Sequence, residues 1–127
     1  MAKTFMQSVE EAKSQVEGVA PSDVSETALI IDVRDKDDIA ASGIVPGAVP
    51  ISLGTLTFKA DTTVPEELQH PELGDHEREI VVTCAMGAMA SLGAKLLQDM
   101  GYNNVKFMDG GTTGWKDAGR PVDDFAG

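Results

Sequence analysis

Residues 79–97, EIVVTCAMGAMASLGAKLL, join a short apolar run to a longer amphipathic one. The run EIVVTC has the β-branched composition of a strand that is covered on both faces. From Ala90 onward an apolar stripe follows at helical spacing, formed by Leu92, Ala94, Leu96, Leu97 and Met100. We therefore predict a buried strand that leads into a helix lying against the sheet, with Cys84 at their junction.

Similar strand and helix patterns alternate in the first third of the chain. A first helix is predicted from four apolar residues on one side, Phe5, Val9, Ala12 and Val16. Gly18 is its expected stop. ALIIDV, residues 28–33, reads as a core strand, and RDKDDIAASG, residues 34–43, is helix-permissive up to its glycine.

The remaining segments continue this alternation. IVPGAVPIS, residues 44–52, contains two prolines, which favour a turn and a short strand. Residues 53–78 are the least regular part, with a helix expected around residues 65–70. NVKFM, residues 104–108, is a further core strand, and GWKDAG, residues 114–119, a short final helix. Alternating strands and helices predict an α/β fold with a mainly parallel sheet.

Length and charge limit the classes of partner. The 127 residues suit one domain, spanning residues 1–127. The formal net charge of −11 repels phosphate backbones and anionic lipid, so we expect no nucleic-acid and no membrane partner. Solubility explains such a charge most simply. A salt-adapted proteome or a basic docking partner are the alternatives.

The sequence also predicts a location and limits the role of its only cysteine. The opening MAKTFMQSVEEAK lacks the apolar run of a secretion signal, and no segment has the ~20 apolar residues of a membrane span, so we expect a cytoplasmic protein. One cysteine excludes an internal disulfide and an all-cysteine metal cage within one chain. Cys84 is then either an inert core thiol or a reactive one.

The position of Cys84 favours chemistry. Ligands of parallel α/β sheets bind at the carboxyl ends of the strands. A loop that enters a helix there points its backbone N–H groups into one small concave site. Those amides and the positive end of the helix favour the nucleophilic thiolate. Gly87 would let the loop turn tightly. The competing interpretation is that Cys84 packs as a small hydrophobe, as free cysteines often do.

Four segments in order resemble the rhodanese family of sulfurtransferase domains, from about residue 8 to residue 122. LIIDVR, residues 29–34, is similar to the family's strand ending in Asp-Val-Arg. SGIVPGAVPIS, residues 42–52, is similar to its Gly-His-Ile-Pro-Gly-Ala segment, with Ile44 where histidine is usual. IVVTC and the six-residue loop after it resemble the active-site strand and loop.

The fourth segment, residues 96–122, resembles the family's ending. The matching positions are Gly101, Tyr102, Val105, Gly110, Gly111, Trp115, Gly119 and Pro121. The resemblance implies a mainly parallel five-stranded sheet with helices on both faces. It also implies that Cys84 accepts a sulfane sulfur from a donor, becomes a persulfide and passes the outer sulfur to a thiol or other nucleophile, without a metal or organic cofactor.

The loop departs from the family's common form, Cys-x-x-Gly-x-Arg-Ser. The substrate-binding loop that we predict consists of Ala85, Met86, Gly87, Ala88, Met89 and Ala90. Met89 stands at the arginine position, where a guanidinium would make contacts with an anionic donor worth ~1.5 to 3 kcal/mol each. We therefore expect weak activity with thiosulfate. Met86 and Met89 would give the site a polarizable, apolar rim, suited to a small persulfide or a protein donor.

Other functions are weighed against this one. The alternative function is that of a non-catalytic rhodanese-like module for protein interaction or sulfide sensing, because such a module would need no loop arginine. Phosphatases that share the fold use a longer loop ending in arginine, which is missing here. Asp32 and Arg34 are predicted as an ion pair that supports the strand end, with a direct catalytic role as the alternative.

Metal sites are the less favoured interpretation of two further groups. Cys84, Met86 and Met89 form a soft set that could bind Cu(I), although packing is the commoner role. His70 and His76 lie among acidic residues but are predicted as solvated loop residues rather than zinc ligands. We predict a core position for Trp115 and expect no metal.

Overall fold

The computed structural model describes residues 2–126 and contains a five-stranded sheet. The strands are β1 (Glu17–Val19), β2 (Leu29–Asp32), β3 (Val49–Pro50), β4 (Ile80–Thr83) and β5 (Val105–Met108). They lie in the order β1, β5, β4, β2, β3, and every neighbouring pair is parallel. The predicted α/β fold with a five-stranded parallel sheet is confirmed.

Helices pack on both faces of this sheet. They are α1 (Phe5–Gln15), α2 (Lys36–Ser42), α3 (Leu53–Lys59), α4 (Ala88–Asp99) and α5 (Gly111–Asp117), with 3₁₀ turns at Pro21–Asp23, Glu66–Leu68 and Pro71–Leu73. Successive strand residues point to opposite faces: Ile31 joins the apolar cluster beneath α3 and α4, and Ile30 joins the cluster that contains Trp115 of α5. None of the helices described is long and apolar enough to cross a membrane.

The structure of the least regular segment, residues 53–78, differs from the one predicted. The helix expected around residues 65–70 is only a 3₁₀ turn at Glu66–Leu68, whereas a regular helix, α3, lies at Leu53–Lys59. The sequence of α3, LGTLTFK, includes weak helix formers and only one buried residue, Leu56. Packing of that leucine into the core therefore outweighs a local pattern that gives no helical signal.

Two predictions about the amino-terminal helix are corrected. Phe5 lies on the same side of α1 as Val9 and Ala12, which are buried as predicted, but at the first helical position it is 54% exposed. Gly18 does not end the helix but lies within β1. A Cβ at this position would lie 2.5 Å from Oδ1 of Asp109, so glycine leaves room for that side chain beside β5.

Helix α4 turns a different side to the sheet than its leucines predict. Its buried residues are Ala90, Ser91, Gly93, Ala94 and Leu97, while Leu92 and Leu96 are half-buried. A Cβ on Gly93 would lie 3.2 Å from Cγ1 of Val82 and 3.3 Å from Cγ1 of Val33. The small residues thus let α4 approach the sheet closely.

Tyr102 anchors the irregular segment between α3 and β4. Its ring is buried, and its hydroxyl lies 2.8 Å from the carbonyl oxygen of Ala60 and 2.6 Å from that of Leu73. Burial, and less strongly the Asp61 carboxylate, raise the pKa of Tyr102 above its usual value. The neutral phenol is therefore the form that stabilises the fold.

Tyr102→Phe should lower the free energy of unfolding by about 1 to 3 kcal/mol at pH 7, because two buried carbonyl groups lose their hydrogen-bond donor. Urea unfolding would measure this change. The folded-state pKa is raised, so the contribution of the hydroxyl is complete below about pH 10 and is lost as the pH rises further. An unchanged midpoint of unfolding at pH 7 would contradict this role.

Candidate active site

Cys84 directly follows β4, at the carboxyl edge of the sheet. Its Sγ accepts hydrogen bonds from the N–H of Gly87 at 3.0 Å and from the N–H of Ala90 at 3.3 Å. Gly87 caps α4 with a φ of +103°, a conformation that favours glycine. The loop therefore closes around the sulfur and points main-chain donors at it.

The sulfur lies under this loop rather than on the surface. Cys84 is 3% exposed and belongs to the apolar cluster beneath α4. Met86 is 72% exposed, while Met89 is half-buried and packs against the same cluster. The other loop residues range from exposed (Ala85) through half-buried (Ala88) to buried (Gly87, Ala90). Only Met86 of the two predicted rim methionines is thus fully accessible.

A second loop, at the start of α5, donates hydrogen bonds to the backbone of the loop that begins at Cys84. The N–H of Thr112 donates to the carbonyl of Cys84 at 2.8 Å, and the N–H of Thr113 donates to that of Ala85 at 3.0 Å. A peptide unit is planar and trans, so its N–H points opposite to its C=O. The N–H groups of Ala85 and Met86 therefore point away from α5.

Close contact between the two loops requires glycine at position 111. Its φ is +60°, and a Cβ there would lie 2.8 Å from the carbonyl oxygens of both Cys84 and Ala85. Behind this contact the buried hydroxyls of Thr83 and Thr112 lie 3.2 Å apart. The sequence does not predict this role of Gly111, because contact between segments separated by 26 residues leaves no local pattern.

Asp32 and Arg34 form a buried ion pair at the end of β2. Nη2 of Arg34 lies 2.7 Å from Oδ2 of Asp32, and Nε lies 3.0 Å from Oδ1. The guanidinium also donates to the hydroxyl of Ser42 at 2.6 Å and to the carbonyl of Gly43 at 2.9 Å. The pair thus ties the end of β2 to the end of α2, which fits a supporting role.

The two histidines are more involved in the fold than solvated loop residues. Nδ1 of His70 accepts a hydrogen bond from the N–H of Glu72 at 3.1 Å, and the ring of His76 packs edge-on against Tyr102, with 4.2 Å between centroids. Burial lowers the pKa of His70, and the charge of Lys59 adds to the shift. Residues 2–126 contain no cluster of three or more His, Cys, Asp or Glu side chains that could hold a metal ion.

Trp115 occupies the core position predicted for it. The side chain is 5% exposed, and its Nε1 donates to the carbonyl of Pro121 at 2.7 Å. The Arg120 guanidinium lies 3.8 Å from the centre of the ring. Trp115 thereby fixes the end of the chain against the face of the sheet opposite α4.

The chain is similar to proteins named sulfurtransferases. It is 36% identical over 87 residues to the adenylyltransferase and sulfurtransferase UBA4 of Meyerozyma guilliermondii, a match covering 68% of this chain and 20% of that protein. It thus spans about a fifth of the length of such fungal relatives. The solution structure of the polysulfide-sulfur transferase homodimer of Wolinella succinogenes superposes with a TM-score of 0.72 and 28% identity, over 96% of this chain and 88% of that one.

Another solved structure is a protein of unknown function from Rhodopseudomonas palustris, described as a possible tyrosine phosphatase. It superposes with a TM-score of 0.88 and 29% identity, over 97% of this chain and 96% of that one. The model of the rhodanese-like domain matches residues 8–118. The chain therefore belongs to the rhodanese-like domain family.

Proposed function

We propose that this protein is a sulfurtransferase or sulfur carrier that forms a persulfide on Cys84. The observation that carries the proposal is the pair of hydrogen bonds from the N–H groups of Gly87 and Ala90 to Sγ. Main-chain donors aimed at a sulfur atom stabilise negative charge on it, and the thiolate is the nucleophilic form of cysteine. The sulfurtransferase names of its relatives support the same reaction class.

The reaction has two displacement steps. The Cys84 thiolate attacks the outer sulfur of a donor persulfide, RS–SH, so that one S–S bond forms as another breaks and RS⁻ leaves. An acceptor thiolate then attacks the outer sulfur of the Cys84 persulfide, which transfers that sulfur and restores the Cys84 thiolate. The sulfane sulfur moves without any external oxidant or reductant, and the loop amides stabilise the negative charge at Sγ in both steps.

The choice of donor follows from the side chains of the loop. Residues 85–90 contain only alanine, glycine and methionine, so no side-chain cation is available to bind a small dianion such as thiosulfate. Exposed Met86 offers a polarizable, apolar contact instead. We infer that the donor is an organic persulfide, a polysulfide or a protein persulfide. The name of the Wolinella succinogenes relative is consistent with this class.

Phosphatase chemistry is not proposed, despite the description of the Rhodopseudomonas palustris protein. A cysteine-dependent phosphatase needs a cation to hold a phosphate dianion, and arginine supplies it through paired hydrogen bonds. The loop after Cys84 is short and contains no arginine. Likeness of fold does not restore that missing group.

Two features favour the second candidate, a non-catalytic module for protein interaction or sulfide sensing. Cys84 is only 3% exposed, and the arginine position is occupied by Met89. A module of this kind would retain the fold and the apolar rim without turning over a donor. It therefore predicts no transferable sulfur on Cys84.

Incubation with glutathione persulfide or inorganic polysulfide should add one sulfur atom to the protein, and excess thiol should remove it. Intact-mass spectrometry would detect both changes, and Cys84→Ser should show neither. The reason is that only this residue combines a thiol with converging main-chain donors. Absence of an adduct with every donor would instead support the non-catalytic module.

Met89→Arg should raise thiosulfate:cyanide activity roughly tenfold, because a guanidinium at this position supplies the missing charge-assisted contacts. Steady-state kinetics would measure kcat/KM for thiosulfate. Met86→Arg is the matched control, since it adds the same charge at an exposed loop position. Equal gains in both variants would show a general effect of charge and contradict a specific role for position 89.

Gly111→Ala should slow persulfide formation at Cys84 at least about tenfold, because the added Cβ intrudes on the carbonyl groups of the active loop. Gly119→Ala is the matched control. Gly119 also has a positive φ, +81°, but no atom lies within 4 Å of a Cβ there, so this variant incurs the backbone strain without the intrusion. Rapid-quench mass spectrometry would compare the two rates. Equal rates in folded variants would contradict the proposed contact.

A further inference from the structure

The ten cationic side chains differ in whether they have a partner within residues 2–126. Eight of them do: a carboxylate pairs with Lys3, Arg34, Arg78, Lys95 and Lys106, a carbonyl accepts from Lys116 and Arg120, and an aromatic ring lies beneath Lys13. Within that range Lys36 and Lys59 form no side-chain hydrogen bond, ion pair or cation–π contact. Two cations without a partner are notable in a chain whose net charge is −11.

Both of these lysines line the same cavity, of about 290 Å³. The other lining residues are Arg34, Asp35, Pro50, Ser52 and Thr55. The guanidinium of Arg34 is already occupied by Asp32, Ser42 and Gly43. The cavity is therefore lined by two lysines without a side-chain partner in the described residues, by two hydroxyl groups that lie 3.0 Å from each other, and by a single carboxylate, so the charge of its lining favours an anion.

The cavity lies at the carboxyl end of the sheet, as Cys84 does, because its lining includes residues that follow β2 and β3. Val33 donates its N–H to the carbonyl of Thr83 at 3.0 Å, and Leu53 donates its N–H to the carbonyl of Val33 at 3.0 Å. The backbone segments that follow β4 (at Cys84), β2 and β3 thus lie side by side, in that order. With roughly 4.8 Å between neighbouring strands, the cavity lies on the order of 10 Å from the sulfur.

We propose that the Lys36/Lys59 cavity binds a carboxylate of an extended organic persulfide while its sulfane sulfur meets Cys84; this rests on the proposed function. Thiosulfate is a single S–S unit, so it is too short to reach from Cys84 to the cavity across the segment that follows β2. A peptide-sized thiol with a carboxylate several bonds from its sulfur can reach both places. Specificity for the donor thus comes from the two lysines of this cavity instead of from an arginine in the loop after Cys84.

The test compares two donors on three variants. The donors are glutathione persulfide and its diethyl ester, which lacks the carboxylates, and the variants are Lys36→Ala, Lys59→Ala and the double variant. KM for the acid should rise about threefold for each lysine and about tenfold for both, with kcat unchanged, whereas KM for the ester should not change. The difference should shrink in high salt, and Lys→Arg substitutions should retain most of the affinity.

Lys13→Ala is the matched control for net charge. Lys13 is exposed near the end of α1, where it lies over the ring of Phe107 on β5 and does not line the cavity, and its removal makes the chain more negative by the same amount. An equal rise in KM for Lys13→Ala, or equal rises for the acid and the ester, would overturn the inference. So would unchanged kinetics in the double variant.

A binding measurement separates this inference from the proposed function. S-methylglutathione, which cannot donate sulfur, should perturb the amide NMR signals of Ser52 and Thr55 in Cys84→Ser, and removal of both lysines should abolish the change. Such binding without persulfide formation by the wild type would leave the cavity assigned while the proposed function fails. Persulfide formation without lysine-dependent binding would overturn the cavity alone.

Discussion

The arrangement of the site depends on two main-chain hydrogen bonds between loops that are distant in sequence. The first amides of α5 hold the carbonyl groups of Cys84 and Ala85, and this contact orients the peptide units of the active loop. The loop can then curl so that the amides of Gly87 and Ala90 reach Sγ. Because peptide dipoles fixed in this way need not reorganise, they stabilise charge on the sulfur more effectively than mobile water.

A site built from main-chain dipoles separates charge stabilisation from donor recognition. Amides supply the first function whatever the side chains of residues 85–90 are. Donor recognition could then lie elsewhere, and the proposed place for it is the cavity lined by Lys36 and Lys59. The buried pair of Asp32 and Arg34 connects these regions structurally, since it ties the end of β2, between Cys84 and the cavity, to the end of α2.

The features predicted well from the sequence are those that depend on local patterns. The runs LIID and IVVT are entirely buried, as continuous apolar strands should be, and the position of Cys84 between β4 and α4 follows directly. Helix α3 was missed because one buried leucine, rather than an amphipathic period, holds it in place. The roles of Gly18, Gly93 and Gly111 also escaped prediction, since each reflects an approach between segments far apart along the chain.

Near-complete burial of Cys84 imposes a condition on any transfer reaction. A persulfide extends the side chain by an S–S bond of about 2.05 Å, and a donor or acceptor must reach the sulfur of a residue that is only 3% exposed. Transfer would therefore require movement of the loop that carries Met89, which packs against the same apolar cluster as Cys84. Methionine is suited to such movement because it is unbranched and adapts to irregular spaces. The same burial protects the sulfur of Cys84 from oxidation, since susceptibility to oxidation rises with exposure. At the arginine position the loop thus carries an adaptable, half-buried side chain.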